Sequence, residues 1–358
     1  MDLVYLRNVG VHMIHKHIEI VSSKIKGASS MVRESRENVV AVLSRYYDEV
    51  GISIITSLAD LEDLVARKPD LVFLGMKFLP QDDLTPDKIW LADYLDAHAI
   101  PYTGSNHSAH LLEAHKNLAK QGLLRADLQT SPYLVAHRGQ PLAAQDVTIK
   151  YPVFIKPTNR GGGKGVDNNS VAHDFPALSA KVTSIATLNQ ADALIEEYLP
   201  GREFSVSIIK DPNSGAFSVM PLELVAPTDN GVAVLSEAVK SSNAEQVLVV
   251  AAGGLRDSLC RLGLAAFSVL GARDYGRIDI RLDAYGVPHF LEANLLPSLI
   301  SGYGTFPKAC ELELALGYEA MILQIVELAM LRCYEESDDI IVADLDDTSN
   351  NLILEPAY

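Results

Sequence analysis

One segment, RIDIRLDAYGVPHFLEAN at residues 277–294, limits what this chain can fold into more than any other. From Arg277 to Asp283, polar and apolar side chains alternate with the period of two that is typical of a half-buried β-strand. A turn signal follows at 284–287, and residues 288–294 return as a second strand. The segment therefore predicts an antiparallel hairpin, which commits this part of the chain to a sheet.

The register expected for this hairpin gathers polar side chains on one face. We pair Asp283 with the proline that begins the second strand, so that Asp279 lies opposite Glu292. On the same face, Arg277 then lies opposite Asn294. Two carboxylates about 5 Å apart repel each other by roughly 3 kcal/mol at an effective dielectric constant of about 20. A Mg²⁺ ion, which takes oxygen ligands and shares them with nucleotide phosphates, would turn this repulsion into binding energy.

The hairpin alone leaves an alternative open. It could be a surface hairpin whose two acids pair with Arg277 and Arg281. The metal interpretation therefore depends on the motifs found elsewhere in the chain.

A glycine-rich segment predicts a phosphate site. The strand-like run at 151–157 leads into NRGGGKGV at 159–166. The segment fits neither the P-loop pattern nor G-x-G-x-x-G. A flexible turn can still present backbone N–H groups to phosphates, because glycine permits close approach and positive φ. We expect Lys156 to end the strand with its side chain beneath that turn.

An apolar crossover with hydrogen-bond acceptors, LIEEYLPGREF at 194–204, is typical of a site for adenosine. Backbone groups and Glu196 are predicted to meet the adenine edge, and Glu203 to accept the ribose hydroxyls. The alternative is an interdomain linker with surface acids.

Strand and helix signals alternate through residues 1–105, which favours a parallel sheet covered by helices. The expected strands are 3–6, 52–56 and 70–74, and the expected helices are 35–47 and 88–97. Further along, strands are expected at 204–210 and 217–224, and helices near 247–270 and 313–333. The predicted domains are 1–105 (N-terminal α/β), 106–195 (central, with the glycine turn), 196–332 (C-terminal, with the hairpin) and 333–358 (an acidic solvated tail).

Composition excludes several classes of protein. The formal net charge of −16 opposes binding to nucleic acid, so any site for an anionic nucleotide must gather its own lysines. The three cysteines are far apart and no apolar run reaches the length of a membrane span, so we expect a cytoplasmic protein that binds no membrane. A zinc site at His12, His15 and His17 is not expected, because no ligand lies at suitable spacing.

In their order along the chain, these motifs resemble the ATP-grasp superfamily and, within it, the D-alanine–D-alanine ligase group. The resemblance covers about residues 100–310. It is carried by PYTGSNHSAH…HKNLAK, YPVFIKP with the glycine turn, EEYLPGREFSV, MPLEL, and RIDIRLD with LEANLLPS. It implies an α/β fold, with α+β character in the ATP-binding part, in which a Rossmann-like N-terminal domain precedes two subdomains that sandwich the nucleotide.

The resemblance also implies roles for individual residues. Phosphates would be bound by Lys116, Lys156, Gly162, Gly163, Gly165 and Lys240, the adenine by Glu196, Tyr198 and Leu199, and the ribose by Glu203. Magnesium or manganese ions would be held by Asp279, Glu292 and Asn294, and Arg277 would stabilise charge during catalysis. ATP would activate a carboxylate as an acyl phosphate, which an amine then attacks to give an amide or peptide bond. A homodimer is the expected assembly.

The sequence does not match the residues with which the family binds its amino-acid substrates. The ammonium-binding Glu has only loose candidates in Glu34 and Glu37, and FLGMKFLPQDD replaces an HG…GEDG-like segment. Gly163 stands where the family commonly has Ser, and Ser301 and Tyr303 could line a substrate pocket of different shape. We therefore expect a ligase with different amino-acid substrates. The alternatives are an ATP-grasp phosphotransferase, a ligase with another acceptor, and a silent nucleotide-binding protein.

Overall fold

The computed structural model of the protein describes residues 13–25, 28–29, 31–80, 88–161, 163–225, 228–229, 232–233 and 246–332. The predicted strand 3–6, His12, Gly162, Lys240 and the acidic tail lie outside these residues. The fold class is confirmed, because a parallel sheet at the N-terminus is followed by two antiparallel sheets.

The N-terminal sheet consists of three parallel strands in the order β2-β1-β3: β1 (Ile14–Ser22), β2 (Tyr47–Ile54) and β3 (Leu71–Leu74). Its central strand carries Ile18, Ile20 and Val21 with no exposed surface, as expected for a parallel sheet covered on both faces. The helices that follow β1 and β2 are Arg33–Leu43 and Leu58–Ala66.

Two predictions for this domain need correction. The helix expected at 35–47 ends at Leu43, because Tyr47 already pairs in β2. The helix expected at 88–97 begins only at Leu91: residues 88–90 form β5 (Lys88–Trp90), which pairs antiparallel with β4 (Phe78–Pro80). Lys88 lies over the Phe78 ring at 4.1 Å, a contact that the extended backbone permits.

The central sheet has four antiparallel strands in the order β6-β9-β7-β8. They are β6 (Tyr133–Ala136), β7 (Val153–Pro157), β8 (Val171–Ala172) and β9 (Ala193–Glu197). The helix Phe175–Ser184 covers one face through the buried Leu178.

The C-terminal sheet has the order β14-β11-β10-β15-β16 and is antiparallel throughout. Its strands are β10 (Glu203–Lys210), β11 (Phe217–Val225), β14 (Gln246–Val249), β15 (Tyr275–Leu282) and β16 (Pro288–Asn294), and the short pair β12 (Thr228–Asp229) and β13 (Val232–Ala233) lies between β11 and β14 in sequence. The helix expected near 247–270 is Gly254–Val269, because the residues before it pair with β11.

The helix expected near 313–333 begins only at Tyr318 and runs to Arg332; a helix that was not expected, Thr305–Leu314, precedes it, and the two are bent by 102°. Ala315 takes a left-handed φ of 51°, which ends the first helix. Their side chains join the N-terminal and C-terminal sheets in one core, where Phe306 and Ile325 are buried with Phe73 and Ile209. In the described part of the chain, no helix has by itself the length and hydropathy of a membrane span, and only this bent pair reaches them together.

The domain ranges remain a proposal, and the packing suggests an adjustment. The helices His107–Ala114 and Lys116–Arg125 belong to the core of the C-terminal sheet, where Ala119 and Leu123 are buried with Phe290. The predicted boundary after residue 195 also falls inside β9. We therefore propose 133–197 as the central subdomain.

Candidate active site between the two antiparallel sheets

A cleft lies between the central and C-terminal sheets. It encloses about 800 Å³ of space, including open solvent at its mouth. The residues that line it come from both sheets, the glycine turn, the segment that joins β9 to β10, the start of the helix Lys116–Arg125 and the loop before β6: Lys116, Ser131, Phe154, Lys156, Pro157, Arg160, Gly163, Lys164, Val166, Glu196, Glu197, Tyr198, Leu199, Glu203, Asp279, Arg281, Leu291 and Glu292.

The β15–β16 hairpin presents its acids to this cleft. Asp279 is opposite Glu292, and Arg277 is opposite Asn294, as the sequence predicts. The pairing predicted next to the turn is wrong by one residue, because Leu282, and not Asp283, pairs with Pro288 in the structure. A β-bulge corrects the difference: the register shifts between Asp279 and Ile280, which leaves one extra residue in β16.

The hairpin acids each have a cationic partner. Asp279 is 4% exposed and accepts hydrogen bonds from Arg277 Nε at 3.0 Å and Nη2 at 3.2 Å. It also accepts from Ser205 Oγ at 3.0 Å and from Asn294 Nδ2 at 3.1 Å. Glu292 is paired with Lys116 at 3.4 Å. The pairing of Asp279 with Arg277 is one of the two pairings that the surface-hairpin alternative predicts.

This donor set fits a magnesium ion that is shared with a nucleotide. Among the described residues, no group of three or more His, Cys, Asp and Glu side chains could form a closed metal cage. Asp279 and Glu292 are two carboxylates from adjacent strands that both line the cleft. Mg²⁺ usually takes only one or two carboxylates and completes its shell with phosphate and water oxygens. Asn294 contacts the Asp279 carboxylate, so a role as an additional ligand stays a prediction.

Buried lysines converge on one carboxylate behind this face. Glu196 is 2% exposed, and its two oxygens lie 2.6 Å from Lys120 Nζ and 2.7 Å from Lys156 Nζ. Burial alone would raise the pKa of Glu196, but the two lysines outweigh it and lower this pKa to about 2. Burial also lowers the pKa of Lys120, to about 8, against the opposing charge of Glu196. For Lys156 the carboxylates of Glu196 and Glu292 outweigh burial, and its pKa is raised.

The placement of Glu196 differs from the prediction. The carboxylate assigned to the adenine edge holds Lys156 and Lys120 instead, with help from the Ser131 hydroxyl, which donates to it at 3.1 Å. Lys120 was not predicted as a site residue. Its position one helical turn after Lys116, on the same face of the helix Lys116–Arg125, is the signal that could have identified it.

Lys116 connects the glycine turn with the hairpin. Its Nζ donates to the Arg160 carbonyl oxygen at 2.5 Å and lies 3.4 Å from Glu292 Oε2. Burial lowers the pKa of Lys116, although the Glu292 carboxylate counteracts this shift. Lys116 and Lys156 thus both line the cleft where the sequence predicts phosphate contacts.

Two glycines of the turn, Gly163 and Gly165, are in the left-handed region that favours glycine. Gly163 and Gly165 both have φ of +77°. A Cβ on Gly165 would lie 2.6 Å from Pro157 Cγ, so the turn sits directly against the end of β7. Lys164 also lines the cleft from this turn.

The segment between β9 and β10 forms the far end of the cleft. Tyr198 and Leu199 line it, as predicted, and Glu203 follows at the start of β10. Arg281 donates to Glu203 Oε2 at 3.1 Å and to the Gly201 carbonyl at 3.2 Å, and its guanidinium lies over the Tyr198 ring at 5.2 Å. Arg281 was not predicted as a site residue, although the period of two places it on the Asp279 face.

Other candidates lie elsewhere. Ser301 and Tyr303 are in a turn that does not line the cleft. Glu34 is exposed, and Glu37 is paired with Arg33 at the surface of the helix Arg33–Leu43. His15 and His17 are in β1, paired with Asp48 and Glu19, and form no metal cluster in the described part of the chain.

The chain is similar to known proteins over most of its length. The family model described as D-ala D-ala ligase C-terminus matches residues 112–327. Proteins named D-alanine–D-alanine ligase from Pelobacter propionicus and Geobacter sulfurreducens are 26% and 27% identical, covering 80% and 82% of this chain and 86% and 87% of theirs. A Bacillus anthracis D-alanine–D-alanine ligase crystallised with ATP has a TM-score of 0.71 at 18% identity, covering 90% of this chain and 99% of that one.

Proposed function

The chain belongs to the D-ala D-ala ligase C-terminus family, and on this premise we propose that it is an ATP-dependent ligase that joins a carboxylate to an amine. The observation that carries the proposal is the cleft itself. It combines two facing carboxylates, Asp279 and Glu292, with the buried lysines Lys116 and Lys156 beneath a glycine turn. Simple nucleotide binding would not require this concentration of paired charges.

The nucleotide would lie along the cleft. Tyr198 and Leu199 offer an apolar surface for the base, and Glu203, oriented by Arg281, would accept the ribose hydroxyls. Lys116, Lys156 and the N–H groups of the turn would bind the phosphates. Lys240 and Gly162, which lie outside the described residues, stay predictions for the same task.

Two chemical steps follow. A carboxylate oxygen of the first substrate attacks the γ-phosphorus of ATP, and ADP leaves. The amine of the second substrate then attacks the acyl carbon, phosphate leaves, and an amide remains. Mg²⁺ held by Asp279 and Glu292 would supply positive charge next to the phosphates. Arg277, fixed against Asp279, would offset the negative charge that develops on the acyl oxygen.

The relatives named D-alanine–D-alanine ligase support amino acids as the substrate class. The divergent first-domain residues suggest that the particular amino acids differ from D-alanine. ATP with Mg²⁺ or Mn²⁺ is proposed as the cofactor pair. Location in the cytoplasm and assembly as a homodimer stay predictions.

The direct test is ADP release measured with a panel of amino acids, with and without hydroxylamine. We expect acid-dependent ADP release, an amide when an amine is present, and a hydroxamate when hydroxylamine replaces the amine. A stable phosphorylated product without an amide would identify a phosphotransferase instead. No ADP release across a broad panel, with nucleotide binding intact, would overturn the proposal.

A further inference from the structure

The carboxyl edge of the N-terminal sheet faces the hairpin end of the cleft. In parallel sheets, ligands bind beyond the carboxyl ends of the strands. At this edge β1 ends at Ser22 and β3 ends at Leu74. Arg36 donates to Ser22 Oγ at 3.1 Å, and Lys77 lies just beyond β3. The edge therefore presents cations in a chain whose net charge is −16.

Lys88 is the least compensated of these cations. It is partly buried at the start of β5, with its Nζ 4.1 Å from the centre of the Phe78 ring and 5.7 Å from that of Trp90. No carboxylate within the described residues forms an ion pair with it. Burial lowers the pKa of Lys88, and the charged neighbours that act on it, Arg160 and Lys77, are also cations and lower it further.

Of these cations Arg160 lines the cleft, and Lys77 and Lys88 are not among its lining residues. Lys77 is paired with Glu113, and Glu113 Oε1 also accepts from the Leu295 N–H at 2.9 Å, one residue after Asn294. On the other side, the Arg160 carbonyl oxygen is the acceptor for Lys116. Lys88 belongs to the same short hairpin as Lys77, since the Leu91 N–H just after β5 donates to the Lys77 carbonyl oxygen at 2.9 Å, and it is close enough to Arg160 of the glycine turn for the two charges to interact.

Among the described residues of this edge, the Glu113 carboxylate, which could otherwise receive an ammonium group, is already engaged. Glu113 is buried between Lys77 and His110, whose Nδ1 is 3.1 Å from Glu113 Oε2. The described residues of this edge thus favour an additional negative charge on the substrate over an additional positive one.

We infer that the carboxylate substrate is an acid with a second anionic group, such as a dicarboxylic amino acid, and that Lys88 binds this second group beside Lys77. The inference rests on the proposed ligase function and names its substrate class. The Phe78 and Trp90 rings hold the Lys88 side chain in place and exclude water from one side of it. A charge-assisted bond to a second carboxylate would then distinguish glutamate from glutamine and aspartate from asparagine.

The test compares kcat/KM for glutamate, glutamine, aspartate and asparagine, in both D and L forms, by ADP release in the full-length protein. We expect at least one acid of the panel to be preferred over its amide by about tenfold or more. Lys88→Met should reduce that preference to about onefold with the KM for ATP unchanged, and Lys88→Arg should retain most of it. Lys68→Met is the matched control, because Lys68 precedes β3 at the opposite edge of the same sheet.

Binding of the same acids to the protein loaded with a non-hydrolysable ATP analogue, followed by calorimetry, provides a readout independent of turnover. A preference for the amides, or an acid preference that Lys88→Met leaves intact, overturns the inference while the ligase activity stands. No ADP release with these four amino acids, when other amino acids of the broad panel do release ADP, also overturns the inference while the ligase activity stands. No ADP release across the broad panel overturns the ligase proposal, and the inference then falls with it.

Discussion

Replacing Glu196 by Gln should show whether Glu196 positions Lys120 and Lys156 for nucleotide binding or only stabilises the fold. The change removes the one negative charge that lies within 2.7 Å of both Lys120 and Lys156. Breaking a buried ion pair by removing one partner costs about 3–5 kcal/mol, because the remaining charge is left buried. Lys120 can reduce this cost by losing its proton, since its pKa is already lowered to about 8 with the carboxylate present. We therefore expect a loss near the lower limit, about 3 kcal/mol.

Two measurements check this expectation. A loss of about 3 kcal/mol should lower the melting temperature by roughly 6–12 °C, if each kcal/mol shifts Tm by about 2–4 °C. Calorimetry with a non-hydrolysable ATP analogue should show affinity reduced by about tenfold or more, because Lys156 loses its orienting partner. The double variant Glu196→Gln/Lys120→Met should recover part of the stability but not the affinity, because it removes a stranded charge without restoring Lys156.

Glu313→Gln is the control. Glu313 forms a two-pronged ion pair with Arg256 outside the cleft, so this variant should lose stability and keep full nucleotide affinity. The reasoning is refuted if Glu196→Gln melts and binds as the wild type does, or if its affinity loss is no larger than that of Glu313→Gln.

Two further predictions follow from the structure. Gly165→Ala should raise the KM for ATP several-fold, because its Cβ would lie 2.6 Å from Pro157 Cγ. Gly139→Ala is the control and should leave this KM unchanged, because Gly139 has a similar positive φ but no atom within 4 Å of the added Cβ. Equal effects of the two substitutions in steady-state kinetics would contradict the assignment of the turn to phosphate binding. Glu113 and Glu196 have pKa values lowered from 4.5 to about 2, so their contribution to stability is present above pH 4.5 and is lost as pH falls toward 2. Denaturant unfolding between pH 5 and pH 3 should therefore show a steep loss of stability that is shallower in Glu113→Gln, and a flat wild-type profile would contradict this.

Local patterns account for what the sequence could predict. The alternation at 277–283 identifies the strand, and cross-strand geometry brings Asp279 opposite Glu292 without further information. The bulge in β16 is not predicted by the sequence; in the structure it places two adjacent residues, Leu291 and Glu292, on the side of the strand that faces the cleft. Consecutive side chains on one face break the period of two, and this is the signature of an extra residue in a strand.

Contacts between distant segments account for what was missed. The Glu196 network joins β9, β7 and the helix Lys116–Arg125, so no local pattern reveals it. The break at Ala315 likewise depends on packing of the two final helices between the N-terminal and C-terminal sheets.

The central claim is that Asp279 and Glu292 hold a divalent ion that binds the nucleotide phosphates. The most direct test is calorimetry of a non-hydrolysable ATP analogue, with and without Mg²⁺, on the wild type and on Asp279→Asn/Glu292→Gln, with the exposed Glu311→Gln as control. We expect Mg²⁺ to increase the affinity of the wild type and of Glu311→Gln by about tenfold or more and to leave that of the double variant unchanged. An equal increase in the double variant would contradict the claim.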